Sequence, residues 1–250
     1  MSRLQHIIGF LDRELAADFA DSSNNGLQVE NSGRVRKICT GVDASLPFFE
    51  AAAERGADLL ICHHGISWGD LKYITGLNYQ RISFLVKRDM ALYASHLPLD
   101  AHPRLGNNAC LCRALGLREV EPWGEYKGGK IGRRGVLPRP LPLAEFARRV
   151  EQAVGNRAQV MAYGKKTVRT VAMVVGGGAV GLEQAAREGI DVYLTGEAYL
   201  SAHNTAQEAG LNIVHAGHYA TESLGVQVVG ALLHRRFHLP VEFINLGIKY

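Results

Sequence analysis

Leu4, Ile7, Ile8, Leu11 and Leu15 recur at the three- and four-residue spacing of a helix that buries one stripe. The polar run Asn24-Asn25-Gly26 then reads as a turn. From Lys37 the period changes, and short apolar runs of strand length alternate with helix-like segments: a strand over 38–42, a helix over 47–55 stopped by Gly56, and a strand over 58–62. Residues 79–88 read as helix, 90–94 as strand, and Asn107 as the N-cap of a helix through Leu115. A stretch rich in Gly, Pro and basic residues between Glu121 and Pro142 predicts a boundary near Trp123 followed by a hairpin. Beyond it come a helix over 143–154, strands near 158–163 and 168–175, then helix, strand, helix, strand, a long last helix and a strand over 241–246. The pattern is that of an α/β protein with two lobes, residues 1–123 and 124–250.

The two lobes carry an internal repeat. Ala53-Glu-Arg-Gly-Ala-Asp-Leu-Leu-Ile-Cys-His-His64 aligns with Ala186-Arg-Glu-Gly-Ile-Asp-Val-Tyr-Leu-Thr-Gly-Glu197, which sets Gly56 on Gly189 and Asp58 on Asp191. At the next strand of each half, His96-Leu-Pro-Leu-Asp100 aligns with His218-Tyr-Ala-Thr-Glu222. A His followed four residues later by a carboxylate therefore occurs twice. Two related lobes explain both matches better than a chance likeness of βαβ units.

Composition narrows the class. A chain of 250 residues that is 47% hydrophobic can bury a core without disulfides or a structural metal. Its 28 Lys and Arg against 24 Asp and Glu are spread along the chain, which is no nucleic-acid footprint. No apolar stretch approaches the roughly 20 residues of a membrane span, and the first residues lack the apolar block of a signal peptide, so a cytoplasmic protein is expected. Cys39, Cys62, Cys110 and Cys112 lack CxxC pairing and read as core filling.

Three polar clusters fall at the carboxyl ends of predicted strands: His63-His64, His96 with Asp100, and His218 with Glu222. In open α/β sheets ligands bind at that edge. Imidazole and carboxylate suit divalent ions such as zinc, iron, manganese or nickel. Four imidazoles and two carboxylates exceed what one tetrahedral ion needs and suit a pair of ions with open positions for water. A dinuclear site between the lobes is the expectation.

Asn25-Gly-Leu-Gln-Val29, His63-His-Gly65, Ser95-His-Leu-Pro-Leu-Asp100 with Gly106-Asn-Asn108, Thr195-Gly-Glu197 and Gly217-His-Tyr-Ala-Thr-Glu222 together resemble the NIF-three-like dinuclear-metal proteins, also called GTP cyclohydrolase I type 2 homologs. The resemblance covers almost the whole chain. It implies His63, His64, Asp100, His218 and Glu222 as metal ligands, and it places His96 and Glu197 near the metals, as supports of the ligands or in proton transfer. It also implies a toroidal homohexamer, two divalent ions per chain and a hydrolase acting on a small molecule such as a nucleotide. For GTP, metal-activated water would open the imidazole ring of the guanine, with His96 or Glu197 relaying protons. A metal-dependent phosphoesterase would use the same residues, and a metal-binding adapter without turnover would need no open position.

Other signals have plainer readings. Gly176-Gly-Gly178 follows a predicted strand and offers backbone N–H groups to a phosphate, although a tight strand-to-helix turn explains the glycines as well. Lys127, Lys130, Arg133, Arg134 and Arg139 read as a solvated hairpin face, and Trp68, Tyr73 and Tyr79 as core or subunit-interface residues. His102 and His203 fall outside the repeat, His215 ranks below His218, and His6, His234 and His238 read as surface residues.

Overall fold

The computed structural model describes residues 3–17, 20–70, 73–197 and 199–249. Along the chain run α1 (Arg3–Glu14), β1 (Gly26–Val29), β2 (Ile38–Asp43), α2 (Leu46–Glu54), β3 (Leu59–His64), α3 (Gly76–Lys87), β4 (Ala91–Ala94), α4 (Leu97–Ala101) and α5 (Asn107–Ala114). A long hairpin of β5 (Arg118–Tyr126) and β6 (Gly129–Pro142) follows, then α6 (Leu143–Val154), β7 (Gln159–Met161), β8 (Thr167–Val174), α7 (Leu182–Arg187) and β9 (Val192–Thr195). The chain ends with α8 (Leu200–Ala209), β10 (Asn212–His215), α9 (His218–Phe237) and β11 (Val241–Phe243). The fold is mixed α/β with two sheets. Among the described residues no helix is long and apolar enough to cross a membrane.

The chain forms two compact units. The first holds residues 1–99 and 225–247, the second residues 100–224 and 248–250. The division therefore falls at Leu99–Asp100 and within α9, not near Trp123. The reason lies in pairing: β5 and β6 join the second sheet through β8, whereas β11 returns to pair with β2 in the first. The helix expected from Asn107 is capped by Gly106, and Asn107 is its first residue.

In the first unit the sheet order is β1-β4-β3-β2-β11. β11, β2, β3 and β4 run parallel, with β1 antiparallel at the edge. The helices cover it with Phe48, Phe49, Ala52 and Leu85, which pack against Cys39, Leu60, Cys62 and Leu92. In the second unit the order is β5-β6-β8-β9-β10-β7, in which β8, β9 and β10 are parallel and β7 is the antiparallel edge. Its core joins Leu111, Leu115, Phe146 and Val150 to Val171, Met173, Leu194 and Val214. All four cysteines are buried and unpaired, as core filling requires.

Each unit shows the repeat at atomic detail. α2 ends at Gly56 (φ 69°), where Gly56 N–H donates to the Ala53 carbonyl and Ala57 N–H to Ala52. α7 ends at Gly189 (φ 63°) with the same two bonds, Gly189 to Ala186 and Ile190 to Ala185. A left-handed residue closing the helix this way favours glycine. Two residues on, Asp58 accepts from the N–H groups of Arg36 (2.7 Å) and Lys37 (3.2 Å), and Asp191 from those of Arg169 (2.9 Å) and Thr170 (3.0 Å). Asp58 thus anchors the entry of β2, and Asp191 holds β8 from within, where that strand comes alongside β9.

For both aspartates burial opposes ionisation, but the pairing with Arg36 or Lys165 and the backbone N–H bonds outweigh it and hold them below the ordinary value of 3.8. A depressed folded-state pKa contributes stability that is complete above that value and is lost as the pH falls through the folded one. We expect Asp58→Ala and Asp191→Ala each to cost about 2 kcal/mol at pH 7, since each leaves two backbone donors unsatisfied. In urea titrations that difference should shrink steadily below about pH 4.

Candidate metal centre

In the first unit, β3 delivers His63 and His64 at its carboxyl end, and His96 follows β4 two residues beyond its last residue. The ring centroids of His63 and His64 lie 4.6 Å apart, with His96 5.1 and 5.5 Å from them. One ring nitrogen from each comes within 4.8 Å of the other two. Each imidazole is held through Nδ1. That of His63 lies 2.9 Å from the Ser95 carbonyl, that of His64 lies 2.8 Å from Asp43 Oδ1, and that of His96 lies 2.9 Å from Asp21 Oδ1. Asp43 stands directly across the parallel ladder from His64. A carboxylate or carbonyl at Nδ1 fixes the tautomer and turns Nε2 away from it, the arrangement found behind metal-ligating histidines.

Asp21 collects further donors: the N–H groups of Ser23 and Leu97 and the Asn25 side chain. Burial opposes its ionisation, but these bonds and the His96 ring hold its carboxyl well below the usual range. The Asn25 side-chain oxygen accepts the His96 N–H at 2.7 Å. Gln28 accepts the N–H groups of Ile66 and Ser67, and a Cβ at Gly65 would lie 2.3 Å from the Gln28 side chain. The Asn25 to Val29 motif therefore shapes the segment after His64. There Trp68 donates to the Gly65 carbonyl and sets its ring edge on His96, with centroids 4.9 Å apart. Trp68 walls the imidazoles and is no core residue, while Tyr73 and Tyr79 are exposed rather than packed in a core.

The second unit positions Asp100, His218 and Glu222. Asp100 is buried and takes the Asn107 side-chain amide at 2.9 Å. Asn108 bridges the Asp100 and Ile131 carbonyls and accepts the Val175 N–H. Arg133 donates to the Ala101 and Gly132 carbonyls and is 4% exposed, so it does not belong to the solvated hairpin face. Glu222 is 3% exposed; its Oε2 lies 3.0 Å from His218 Nε2, and a carboxylate oxygen comes within 4.8 Å of one of Asp100. The Nδ1 of His218 contacts Glu197, whose other oxygen accepts the Tyr199 hydroxyl at 2.5 Å. Burial alone would lower the His218 pKa, but the Glu222 and Glu197 carboxylates raise it to about 9.

The glycine run at 176–178 serves this geometry. Gly176 N–H donates to Thr221 Oγ1 and Gly178 N–H to Thr195 Oγ1, so neither is held open for a phosphate. Gly176 has φ 62°, and a Cβ there would stand 1.9 Å from Glu222 Oε1 and 2.9 Å from His218 Nε2. His215 is buried and gives its Nδ1 to the Glu197 carbonyl. His102 accepts the N–H groups of Arg104 and Leu105, and His203 meets the Tyr163 hydroxyl. His6, His234 and His238 are exposed.

Histidine, aspartate and glutamate make up every candidate cluster among the described residues, with no thiolate. That donor set fits borderline divalent ions. Asp21 and Asp43 escape a motif reading because each acts from a different segment, 75 and 21 residues away from its histidine. Register alone identifies Asp43, at the end of the strand beside β3. Gly176→Ala should displace Glu222 and His218 and destabilise the protein by about 2 kcal/mol or more in denaturant unfolding. Gly189→Ala, where nothing crowds the Cβ, should cost only about 1 kcal/mol.

A family model described as Duf34/NIF3 (NGG1p interacting factor 3) matches residues 2–248. A protein of Deinococcus radiodurans named GTP cyclohydrolase 1 type 2 homolog is 42% identical over 227 residues, 91% of this chain and 86% of its own. A protein of the same name from Archaeoglobus fulgidus is 39% identical over 244 residues, 97% and 98% of the two chains. Among solved structures, a protein of Thermus thermophilus superposes with a TM-score of 0.90 at 37% identity over 100% of both chains. Reduced HcgD from Methanocaldococcus jannaschii gives 0.85 at 28% identity over 98% of each. With its family model matched over nearly every residue, the chain belongs to the Duf34/NIF3 family.

Proposed function

We propose that the protein binds two divalent ions through His63, His64, Asp100, His218 and Glu222 and hydrolyses a nucleotide of the GTP kind by opening the guanine imidazole ring. The observation that carries this reading is the orientation of the imidazoles: His64, His96 and His218 each set Nδ1 against a carboxylate. Such pairs raise the basicity of the opposite nitrogen as a ligand. Bound there, divalent ions would acidify water toward neutrality and polarise the substrate. The substrate class is taken from the relatives, which are named GTP cyclohydrolase 1 type 2 homologs.

The chain's own residues supply the rest. Asp21 and Glu197 hold His96 and His218 in one tautomer and would carry the charge of a protonated ring during proton transfer. Trp68 packs its ring against His96. Assembly into a cytoplasmic homohexamer belongs to the same reading. Its support is the apolar surface left exposed at the start of α3, where Tyr73, Ile74, Leu77 and Tyr79 are 91, 57, 64 and 55% exposed.

Elemental analysis of the purified protein should find about two ions per chain. A His63→Ala, His64→Ala double variant and Glu222→Gln should lose them, and with them GTP ring opening, while the far-ultraviolet circular dichroism is kept. Asp43→Asn and Glu197→Gln should lower ion affinity by about 10- to 100-fold. Turnover of simple phosphoesters instead of GTP would replace the chemistry, and bound ions with no turnover of either would leave a metal-binding adapter. Light scattering should give a mass near six chains, reduced in Leu77→Glu.

A further inference from the structure

The second unit contains a cavity of about 1030 Å³, lined in part by Arg148, Arg157, Lys249, Asn156, His215 and Glu197. None of the five candidate ion ligands lines it. It is of the size of small-molecule sites. Its charge is unbalanced. Arg148, Arg157 and Lys249 pair with no carboxylate among the described residues, whereas the acids of the wall are engaged: Glu151 accepts the Ala158 N–H at 3.0 Å, and Glu197 accepts from His218 and Tyr199.

His215 adds a second and independent observation. It is 5% exposed, its Nδ1 donates to the Glu197 carbonyl at 2.8 Å, and its buried Nε2 has no hydrogen-bond partner. With the proton on Nδ1, Nε2 carries a lone pair. A buried acceptor left unmatched in this way is uncommon in native proteins and points to a group that the protein's own atoms do not provide. His215 belongs to none of the clusters able to hold an ion, so a hydrogen-bond donor fits it better than a metal.

We infer that this cavity is a second binding site, for a small phosphorylated molecule. Its phosphate pairs with Arg148, Arg157 and Lys249, and one of its N–H or O–H groups donates to His215 Nε2. Two guanidinium forks and an ammonium match the charge and geometry of a phosphate better than a lone carboxylate. The inference does not depend on ions being bound elsewhere.

The test is calorimetric titration of the protein as purified with GMP, guanosine and inorganic phosphate. GMP should bind, and guanosine, which lacks the phosphate, should bind at least about tenfold more weakly. Inorganic phosphate binding as tightly as GMP would assign the site to the free anion and overturn the role given to His215. The Arg148→Ser, Arg157→Ser double variant, confined to exposed side chains, should weaken GMP by about tenfold or more with ion content unchanged. His215→Phe should weaken it by about fivefold. No heat with GMP would overturn the inference. So would GMP binding that survives the double arginine change but is lost with the ions in Glu222→Gln, because the nucleotide would then sit at the metal centre.

Discussion

The candidate centre rests on one interaction, the hydrogen bond that fixes Nδ1 of each imidazole. His63 makes it with the Ser95 carbonyl, His64 with Asp43, His96 with Asp21 and His218 with Glu197. A histidine free to rotate and to exchange tautomers presents its lone pair only part of the time, and ordering it on binding costs conformational entropy. Here that cost is met during folding. The anchors are built in as well: Asp21 is surrounded by backbone and side-chain donors, and Asp43 ends the strand that pairs with β3.

Close packing then sets where those rings stand. Each sheet, taken by itself, places its polar residues at the carboxyl ends of parallel strands, where the ladder stops. Glycines let the backbone approach them. Gly65 makes room for Gln28, and Gly176, in the left-handed region, makes room for Glu222. Asn107 donates to the Asp100 carboxylate, and Asn108 and Arg133 satisfy the backbone carbonyls beside it. Buried acids are tolerable only with such partners.

Most of the secondary structure was legible in the sequence because its periods are clean, as in the helix over 143–154, whose bounds match α6. The repeat was legible through Gly56 and Asp58 and their counterparts Gly189 and Asp191, whose roles depend on local backbone geometry that spacing records. The limits of the units were not. The return of β11 to β2 and the splitting of α9 are long-range pairings that no local pattern encodes. The histidines stood out because two are adjacent and two recur with a carboxylate four residues on. Their anchors Asp21 and Asp43 did not, since an isolated aspartate at a strand end carries no periodic mark. Arg133 was misplaced for a related reason: composition shows that a residue is basic, but only tertiary packing decides whether it faces solvent or the interior.

In the proposed centre, the anchored imidazoles of His63, His64 and His218 are ligands through Nε2. The most direct measurement is a crystal structure of the protein grown with a divalent ion, with diffraction collected above and below that ion's absorption edge. Two anomalous peaks per chain are expected, contacted by the Nε2 atoms of His63, His64 and His218 and by carboxylate oxygens of Asp100 and Glu222. Absence of peaks at these residues, or coordination through Nδ1 with Asp43 and Glu197 turned away, would contradict it.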